Sequence, residues 1–573
     1  MALQGLVDWR GRPVNRKRHG RVKATMFVHF LIVMANIANI PLILNLVSYL
    51  HGTMHMGIKD ASTTSTNFFG AICFFSFLGA FISDSYIKRF YTILIFAPIE
   101  IMGYALLALQ AHVPSLHPPP CDIINHPNEC TPVSGRNLTL LSLGLYLIPV
   151  GEGSMRACAA ALGGDQFDGD DPVELRGKIS FFNWFAFCIS LGGFVGLVVM
   201  VWVQDNKGWG LAFALAALMI LVGTVVVGAG LPFYRHQKPM GSPLTRILQV
   251  FVAAFRKRKL SLPDNLMEMH EITDGTGMGV EFMEKTPGFQ FLDKAAVVDG
   301  DTRRWSLCTV TQVEEAKIIL RMLPIFLSSV LGNVPIPLLL ALTVQQGGAM
   351  DTRLGATNIP PASLFIVPIV FQLLTLVVYD RAVVPWLRRA TGYAGGVTHL
   401  QRVGVGYVCS VMALAVAAVV EGHRRSRAAS AAGPPMSVFW LTPQFFLLGI
   451  MDVTSFVGLL EFFYSEASAG MKSIGGAIVF GVLGVASWLG SFLISVVNRT
   501  TARRGGGHGW LDGADLNASR LDLFYWLLAV FGLVSFFLYL LCAWMYTYRH
   551  DPRMQPAMED DKVTPATTKE AVA

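Results

Sequence analysis

The chain has 573 residues, of which 53% are hydrophobic and only 14% are charged, and its mean hydropathy is +0.50. Soluble domains carry about 25% charged residues, so this composition excludes a soluble globular protein and indicates a polytopic membrane protein. The formal net charge of +7 does not indicate nucleic-acid binding, because membrane proteins place their basic excess on one side of the bilayer. We therefore expect the lipid bilayer, and no nucleic acid, as a partner.

Twelve apolar windows each approach the roughly 20 residues that a helix needs to cross the hydrocarbon core. They lie at 26–50, 65–86, 90–112, 139–162, 179–203, 210–233, 318–345, 362–386, 403–421, 437–464, 474–497 and 521–546. Six precede the polar stretch 234–317 and six follow it. This predicts an all-α membrane protein with two six-helix lobes, 26–233 and 318–546, flanked by segments 1–25 and 547–573. Two-lobed carriers bind substrate near the midplane between their lobes, although helix packing alone also fits a channel or a receptor.

The loops on one side of these windows carry most of the Lys and Arg side chains, which predicts that both termini are cytoplasmic. The N-x-S/T sequons at Asn137, Asn498 and Asn517 all fall in loops on the opposite side, where glycosylation takes place. Cys121 and Cys130 share one of these outer loops and form a candidate disulfide if that side is oxidising. We expect a multi-pass protein of the plasma membrane.

The central stretch begins with a segment, 243–259, that combines an apolar face with a basic end. This pattern predicts an amphipathic helix. Such a helix lies on the inner leaflet of the membrane, and the alternative is a solvated linker helix.

Two carboxylates and two prolines within the apolar windows lead to structural expectations. Glu100 and Asp452 are ionisable, and ionisable groups within a span face the bundle interior by default. Pro335 and Pro337 lie in the seventh window, where they predict a kink in the helix.

The fourth window places two charges inside an apolar run, at Glu152 and Arg156. On a helix these residues are four positions apart and share a face. A charge at the bilayer centre costs roughly 3 kcal/mol on insertion scales, so it is retained only towards a bundle interior or a wet cavity. The pattern predicts that this helix lines a polar site around which the other spans are arranged.

The segment from Gly79 to Arg89 ends the second window and opens a short inner loop. It contains an acid, Asp84, and a base, Arg89, five positions later. An acid at one helix end and a base one turn later can hold neighbouring helix ends together. The segment resembles the Gly-x-x-x-Asp-x-x-x-x-Arg gating motif of the major facilitator superfamily. The resemblance implies a gating role for Asp84 and Arg89, and the alternative is a pair of ordinary charges at the membrane surface.

Several blocks together resemble the proton-dependent oligopeptide transporter family, and more narrowly its plant nitrate/peptide branch. They include 151–156, 163–168, 181–185, 397–404 and 460–464, and the similarity runs from about residue 8 to 548. The opening Trp9-Arg-Gly-Arg-Pro is most similar to the subgroup with hormone (abscisic acid, gibberellin) and nitrate carriers. The resemblance implies twelve helices in a major facilitator fold and transport by alternating access. The sequence contains no GxSxG, HExxH or P-loop motif, so we expect no enzymatic activity, and we expect no cofactor and no metal.

The family's proton-coupling motif in span one, Glu-x-x-Glu-Arg, is absent from this chain. Its positions correspond to Ile32, Ala35 and Asn36. Span one retains Asn36 and Asn39, which either bind a ligand or hydrogen-bond a neighbouring helix. We expect weak or absent proton coupling, because Ile32 and Ala35 cannot exchange a proton and Asn36 carries no charge.

The candidate substrate site follows from the remaining family positions. The family's span-four lysine corresponds to Arg156, and its span-ten carboxylate to Glu461. Arg156 offers a fork for a carboxylate, so we expect it near Glu461 across the lobes, with Glu152 competing for it. A family histidine corresponds to Ile336 and a family asparagine to Ser190. The predicted site comprises Arg156, Glu461, Asn36, Asn39, Glu152, Ser190 and Ile336.

The changed positions weaken nitrate and peptide as substrates. We therefore expect a carrier of a small organic anion similar to a plant hormone. The alternatives are a membrane sensor that binds ligand without transporting it, and a low-affinity nitrate carrier.

Overall fold

The computed structural model describes residues 6–548 except 16–17, 57, 120–130, 169–170, 238–241, 263–268, 271–282, 284, 287, 300–302, 304, 355–356, 359–363, 394–395, 430–435, 469–470, 505–508 and 512–518. The candidate disulfide of Cys121 and Cys130 and the sequon at Asn517 lie outside the described residues.

The first six apolar windows fold into six helices, which we call the first lobe. They are α1 (Arg21–Gly52), α2 (Ile58–Ser85), α3 (Arg89–His112), α4 (Gly135–Gly164), α5 (Pro172–Lys207) and α6 (Trp209–Ala229). The start of α5 shows a local signal for a helix N-terminus. The Asp171 side chain accepts a hydrogen bond from the Val173 amide at 2.9 Å, and a proline opens the first turn.

In the described part of the central stretch, the chain forms α7 (Pro243–Arg256) and α8 (Gln290–Asp293). The helix predicted from 243–259 is therefore present as α7. Its Val250 and Ala253 are buried, whereas Phe251 and Phe255 on the same helix are exposed. Position on the inner leaflet stays a prediction, and these exposed rings are compatible with it.

The second lobe consists of the six spans that follow. Its helices are α9 (Val310–Asn333), α10 (Pro335–Gly348), α11 (Ile366–Val378), α12 (Val384–Thr391), α13 (His399–Ala429), α14 (Thr442–Met451), α15 (Val457–Glu466), α16 (Lys472–Arg504) and α17 (Leu521–Met545). α9 begins with a capping box, in which Thr309 and Gln312 each accept a hydrogen bond from the other's backbone amide at 3.2 Å.

Three spans of the second lobe are interrupted. The seventh breaks between α9 and α10 at Val334, directly before Pro335, which confirms the predicted kink. A π-helical turn, Tyr379–Val383, joins α11 to α12 in the eighth span. A second one, Asp452–Phe456, joins α14 to α15 in the tenth. Such turns are rare and often lie at functional sites.

Twelve helices of the described chain are long and apolar enough to cross a membrane, and they correspond to the twelve predicted windows. Among the described residues outside these helices, the chain forms two short antiparallel strand pairs. β1 (Leu6–Val7) pairs with β2 (His236–Gln237), and β3 (Arg353–Leu354) pairs with β4 (Thr357–Asn358). The first pair ties the N-terminal segment to the chain that leaves α6.

Helix α4 lies between α2 and α3, and glycines allow this close approach. A Cβ added at Gly151 would lie 2.4 Å from the Glu100 Cβ on α3. A Cβ added at Gly153 would lie 2.4 Å from the Ile72 carbonyl oxygen on α2. Small residues let membrane helices pack backbone to backbone, so these glycines fix the position of the neighbouring Glu152.

This packing predicts that Gly151→Ala destabilises the protein. An added methyl group would collide with α3, and overpacking of a tight core typically costs about 1–3 kcal/mol. The matched control is Gly228→Ala on α6, because no atom lies within 4 Å of a Cβ added there. Thermal unfolding of the purified protein should show a lower midpoint for Gly151→Ala only, and equal midpoints would contradict the packing argument.

Candidate functional site

Asp84 and Arg89 lie at one end of the helix bundle, which we call the Arg89 end. The Arg89 Nη2 donates to Asp84 Oδ1 at 2.9 Å, and its Nη1 contacts Asp165 at the end of α4. All three side chains are buried. Removing one partner of a buried ion pair costs about 3–5 kcal/mol because the other charge is stranded, so these contacts hold α2, α3 and α4 together.

The same cluster reaches the second lobe. The Arg89 Nε donates to Ser473 Oγ at 2.7 Å, and the backbone amides of Ser473 and Ile474 donate to Asp84 Oδ2 at 3.0 and 3.1 Å. Those amides belong to the first turn of α16, where free N–H groups and the helix dipole favour an anion. Tyr464 on α15 donates to Asp165 Oδ1 at 3.0 Å. The two lobes are therefore joined at the Arg89 end.

Strand β2 lies beside this cluster. The Gln237 side-chain oxygen accepts from Arg89 Nη1 at 3.0 Å. Burial, together with the positive charge of Lys88, lowers the pKa of His236 to about 4. This imidazole therefore stays neutral at physiological pH and adds no charge to the cluster.

Arg156 pairs with Glu152 on its own helix. Its Nε donates to Glu152 Oε1 at 2.7 Å, and its Nη2 contacts the same oxygen. The guanidinium also lies over the ring of Phe480 on α16 at 5.5 Å, so it faces the second lobe. The expected contact between Arg156 and Glu461 is not formed among the described residues. That prediction is wrong for this conformation, because Glu152, one helical turn away, already occupies the guanidinium.

Glu461 instead pairs within its own lobe. The Arg402 Nη1 and the His399 Nδ1 on α13 both lie 3.5 Å from Glu461 Oε2. Arg402 also donates at 2.9 Å to Val453 O and, across the lobes, to Asn183 Oδ1. Arg402 was not predicted as a site residue, because a base near the start of a span resembles the many bases that lie at the membrane surface. The one signal in the sequence that could have identified Arg402 is its position in the family-like block 397–404.

Asn39 joins two neighbouring polar groups. Its Nδ2 donates to Glu100 Oε1 at 2.8 Å, and its Oδ1 accepts from the Tyr104 hydroxyl at 2.7 Å. Glu100 is fully buried, as its apolar window led us to expect. Each of Glu100 and Glu152 retains a buried Oε2 that has no hydrogen-bond partner among the described residues. Asn39 therefore hydrogen-bonds a neighbouring helix, which was the alternative to ligand binding in the prediction from sequence.

The other predicted residues make local contacts. Asn36 donates to the Ile32 carbonyl at 2.7 Å, and its Oδ1 is buried without a partner among the described residues. Ser190 donates to the Ala186 carbonyl at 3.0 Å. Ile336 is buried in the apolar core of the second lobe. The structure therefore brings Arg156 and Glu152 together but leaves Ser190 and Ile336 outside this ion pair.

Comparison with known proteins agrees with the sequence motifs. The family described as "PTR2: POT family" matches residues 90–511. "Protein NRT1/ PTR FAMILY 8.5" of Arabidopsis thaliana is 38% identical over 555 residues, which cover 95% of this chain and 93% of that protein. "Protein NRT1/ PTR FAMILY 4.3" of the same plant is 37% identical over 548 residues, which cover 94% and 92%.

Solved structures share the fold. "Crystal structure of auto inhibited POT family peptide transporter" superposes with a TM-score of 0.59 at 18% identity, covering 92% of this chain and 98% of that chain. "In meso crystal structure of the POT family transporter PepTSo" superposes with a TM-score of 0.60 at 19% identity, covering 91% and 98%. The predicted twelve-helix major facilitator fold is confirmed.

The geometry predicts a specific rescue. Arg156→Ala should strand the buried Glu152 carboxylate and lower stability by about 3–5 kcal/mol. Adding Glu152→Gln should restore most of this loss, because a neutral amide needs no counter-charge. Adding Glu461→Gln instead should restore none of it, because Glu461 pairs with Arg402 and not with Arg156. Thermal unfolding and the yield of monodisperse protein measure all three variants. If Glu461→Gln restored the stability of Arg156→Ala and Glu152→Gln did not, Arg156 would pair with Glu461 across the lobes, contrary to this prediction.

Proposed function

The chain belongs to the POT family of membrane transporters, and from this premise we propose that it carries a small organic anion by alternating access. This family assignment confirms the resemblance drawn from the motif blocks. The anion is of the size and chemistry of a plant hormone: one carboxylate attached to an apolar body. Arg156, Glu152 and the facing ring of Phe480 form the core of the proposed site.

The position of Arg156 carries this proposal. Glu152 accepts from its Nε and Nη2, while its Nη1 has no acceptor among the described residues. The side chain is 15% exposed and lies between the lobes, against the Phe480 ring. A substrate carboxylate could accept from Nη1 in a charge-assisted hydrogen bond. The ring would cover the apolar body, which an inorganic anion such as nitrate lacks.

Uptake measurements in oocytes test the substrate class. We expect saturable uptake of a carboxylate hormone and no comparable uptake of nitrate. Glu152→Gln combined with Arg156→Gln should reduce uptake at least about tenfold, since loss of one charged hydrogen bond costs about 1.5–3 kcal/mol. The control is Arg136→Gln, which removes an exposed arginine from the same helix. Nitrate flux would favour the nitrate carrier, and saturable hormone binding without flux would favour the sensor.

Weak proton coupling is the second part of the proposal. Ile32 and Ala35 are buried apolar side chains where the family motif has carboxylates. Glu461 is held by Arg402 and His399, and Glu152 by Arg156, so each of these carboxylates already has a cation beside it. A carboxylate that exchanges protons during transport needs to lose its counter-charge in part of the cycle.

We expect uptake to follow the gradient of the substrate itself. Uptake and substrate-evoked current should therefore change by less than about twofold between mildly acidic and neutral medium, since no carboxylate in the site exchanges its proton. A large inward current that grows on acidification would contradict this. Glu100→Gln, measured under the same conditions, would then show whether the buried Glu100 carries that proton.

The proposed orientation puts the Arg89 end and both termini in the cytoplasm. Asn137 lies in the first turn of α4 at the opposite end of the bundle, and Asn498 lies about 25 residues along α16 from Ser473, which is about 37 Å of helix. Both sequons are therefore far from the Arg89 end, although each lies within a helix and not in a loop as the sequence predicted. In this orientation, Asp84 and Arg89 act as a gate that is closed in the present conformation.

Glycosylation reporters measure the orientation directly. A reporter site inserted beside Asn137 should be modified in microsomes, because in this orientation the start of α4 faces the lumen during synthesis. A site inserted within 238–241, next to β2, should stay unmodified. The opposite result would reverse the orientation.

A further inference from the structure

A cavity of about 270 Å³ lies between the lobes at the Arg89 end. The start of α5 contributes Arg176 and Ser180, and the second lobe contributes Asp380, Arg381 and Arg388. Three guanidinium groups therefore line it beside a single carboxylate. The volume lies just below the roughly 300–1,000 Å³ of sites for drug-sized ligands, which suits one charged headgroup.

The carboxylate in the cavity is already engaged. Ser180 donates to Asp380 Oδ2 at 3.1 Å, and Asn183 donates to Asp380 Oδ1 at 2.9 Å. Both donors are neutral and belong to the first lobe, so they fix Asp380 without adding charge. The lining residues thus comprise three guanidinium groups, contributed by both lobes, and one carboxylate.

The surroundings indicate where the occupant comes from. Arg381 lies over the ring of Trp184 at 5.7 Å, and Trp386, two residues before Arg388, is 67% exposed. Tryptophan is enriched where membrane helices meet the headgroup layer. In the proposed orientation this layer is the cytoplasmic leaflet, which carries the anionic lipids, and basic pockets between spans on that side bind phosphorylated headgroups.

We propose that this cavity binds a phosphate group, supplied by the headgroup of an anionic lipid, which bridges Arg176 of the first lobe to Arg381 and Arg388 of the second. Guanidinium groups bind phosphate oxygens in pairs, with a geometry that the ammonium group of lysine does not offer. A free phosphate has the same chemistry. The lipid source rests on the proposed orientation, whereas the phosphate chemistry does not.

The bound phosphate would stabilise the closed Arg89 end. The cavity exists only while α5 and α12 lie together, so a ligand that fills it favours this conformation by its difference in affinity between conformations. The cavity also connects to the candidate site. Asp380 binds Asn183, which accepts from Arg402, and Arg402 pairs with Glu461. Occupancy of the cavity would thus affect the residues that hold Glu461.

Lipid nanodiscs test the proposal with the full chain. The wild type is compared in nanodiscs of phosphatidylcholine alone and of phosphatidylcholine with phosphatidylinositol phosphate, using thermal unfolding and the binding of a fluorescent phosphatidylinositol phosphate. The test variant carries Arg381→Gln and Arg388→Gln. The control is Arg389→Gln, which removes an exposed arginine that does not line the cavity.

We expect the phosphorylated lipid to raise the unfolding midpoint of the wild type and of the control. The double variant should lose this shift and bind the labelled lipid at least about tenfold more weakly, which corresponds to one lost charged hydrogen bond. If the double variant does not fold, Arg176→Gln, from the opposite lobe, should give the same loss. Equal lipid binding by the wild type and a folded cavity variant would overturn the proposal.

Soluble inorganic phosphate, added to nanodiscs of phosphatidylcholine alone, shows whether the bound phosphate group comes from a lipid headgroup or from free phosphate. An equal shift at millimolar phosphate that the cavity variants abolish supports the site with a free phosphate as its occupant. Absence of any shift with either the lipid or the phosphate overturns the proposal. None of these measurements uses substrate uptake, so their failure is distinct from failure of the proposed transport function.

Discussion

The buried guanidinium of Arg89 is the interaction on which the closed Arg89 end depends. A buried cation is stable only when acceptors surround it, and Arg89 has Asp84, Asp165 and Ser473. The two carboxylates belong to the first lobe, whereas the second lobe supplies a neutral hydroxyl. Separating the lobes would therefore break hydrogen bonds, each worth at most about 1.5–3 kcal/mol when one partner is charged. It would leave both ion pairs intact.

The same division holds for the charges near the candidate site. Arg156 pairs with Glu152 inside the first lobe, and Arg402 pairs with Glu461 inside the second. The contacts by which Arg156 and Arg402 reach the other lobe are a cation–π contact with Phe480 and a hydrogen bond to Asn183. An ion pair across the gap would have to be broken in every cycle at the cost of a stranded charge. Pairing within each lobe avoids that cost and leaves the lobes free to rock against one another.

Apolar windows of about 20 residues predicted all twelve spans, because a membrane helix must satisfy its backbone internally and present apolar side chains to lipid. Pro335 likewise predicted the break at Val334, since proline removes a backbone donor. These signals are local in sequence. The partners of Arg156 and Glu461 were not predictable in this way, because they depend on which face of each helix meets its neighbour. Glu152 was available as a competitor from spacing alone, whereas Arg402 lies 59 residues from Glu461.

The two π-helical turns show why the geometry of the interface between the lobes could not be predicted from the sequence. Asp380, which binds Ser180 and Asn183, lies in the turn of the eighth span. Val453, whose carbonyl accepts from Arg402, lies in the turn of the tenth. A π-helical turn disturbs the regular hydrogen-bond ladder and rotates the residues that follow it, and neither turn is marked by a proline or a glycine.

Asn183 connects these turns, because it donates to Asp380 and accepts from Arg402. A shift of α5 relative to the second lobe would therefore disturb the hydrogen bonds at both turns together. One residue of the first lobe thus links the conformation of the Arg89 end to the pair that holds Glu461.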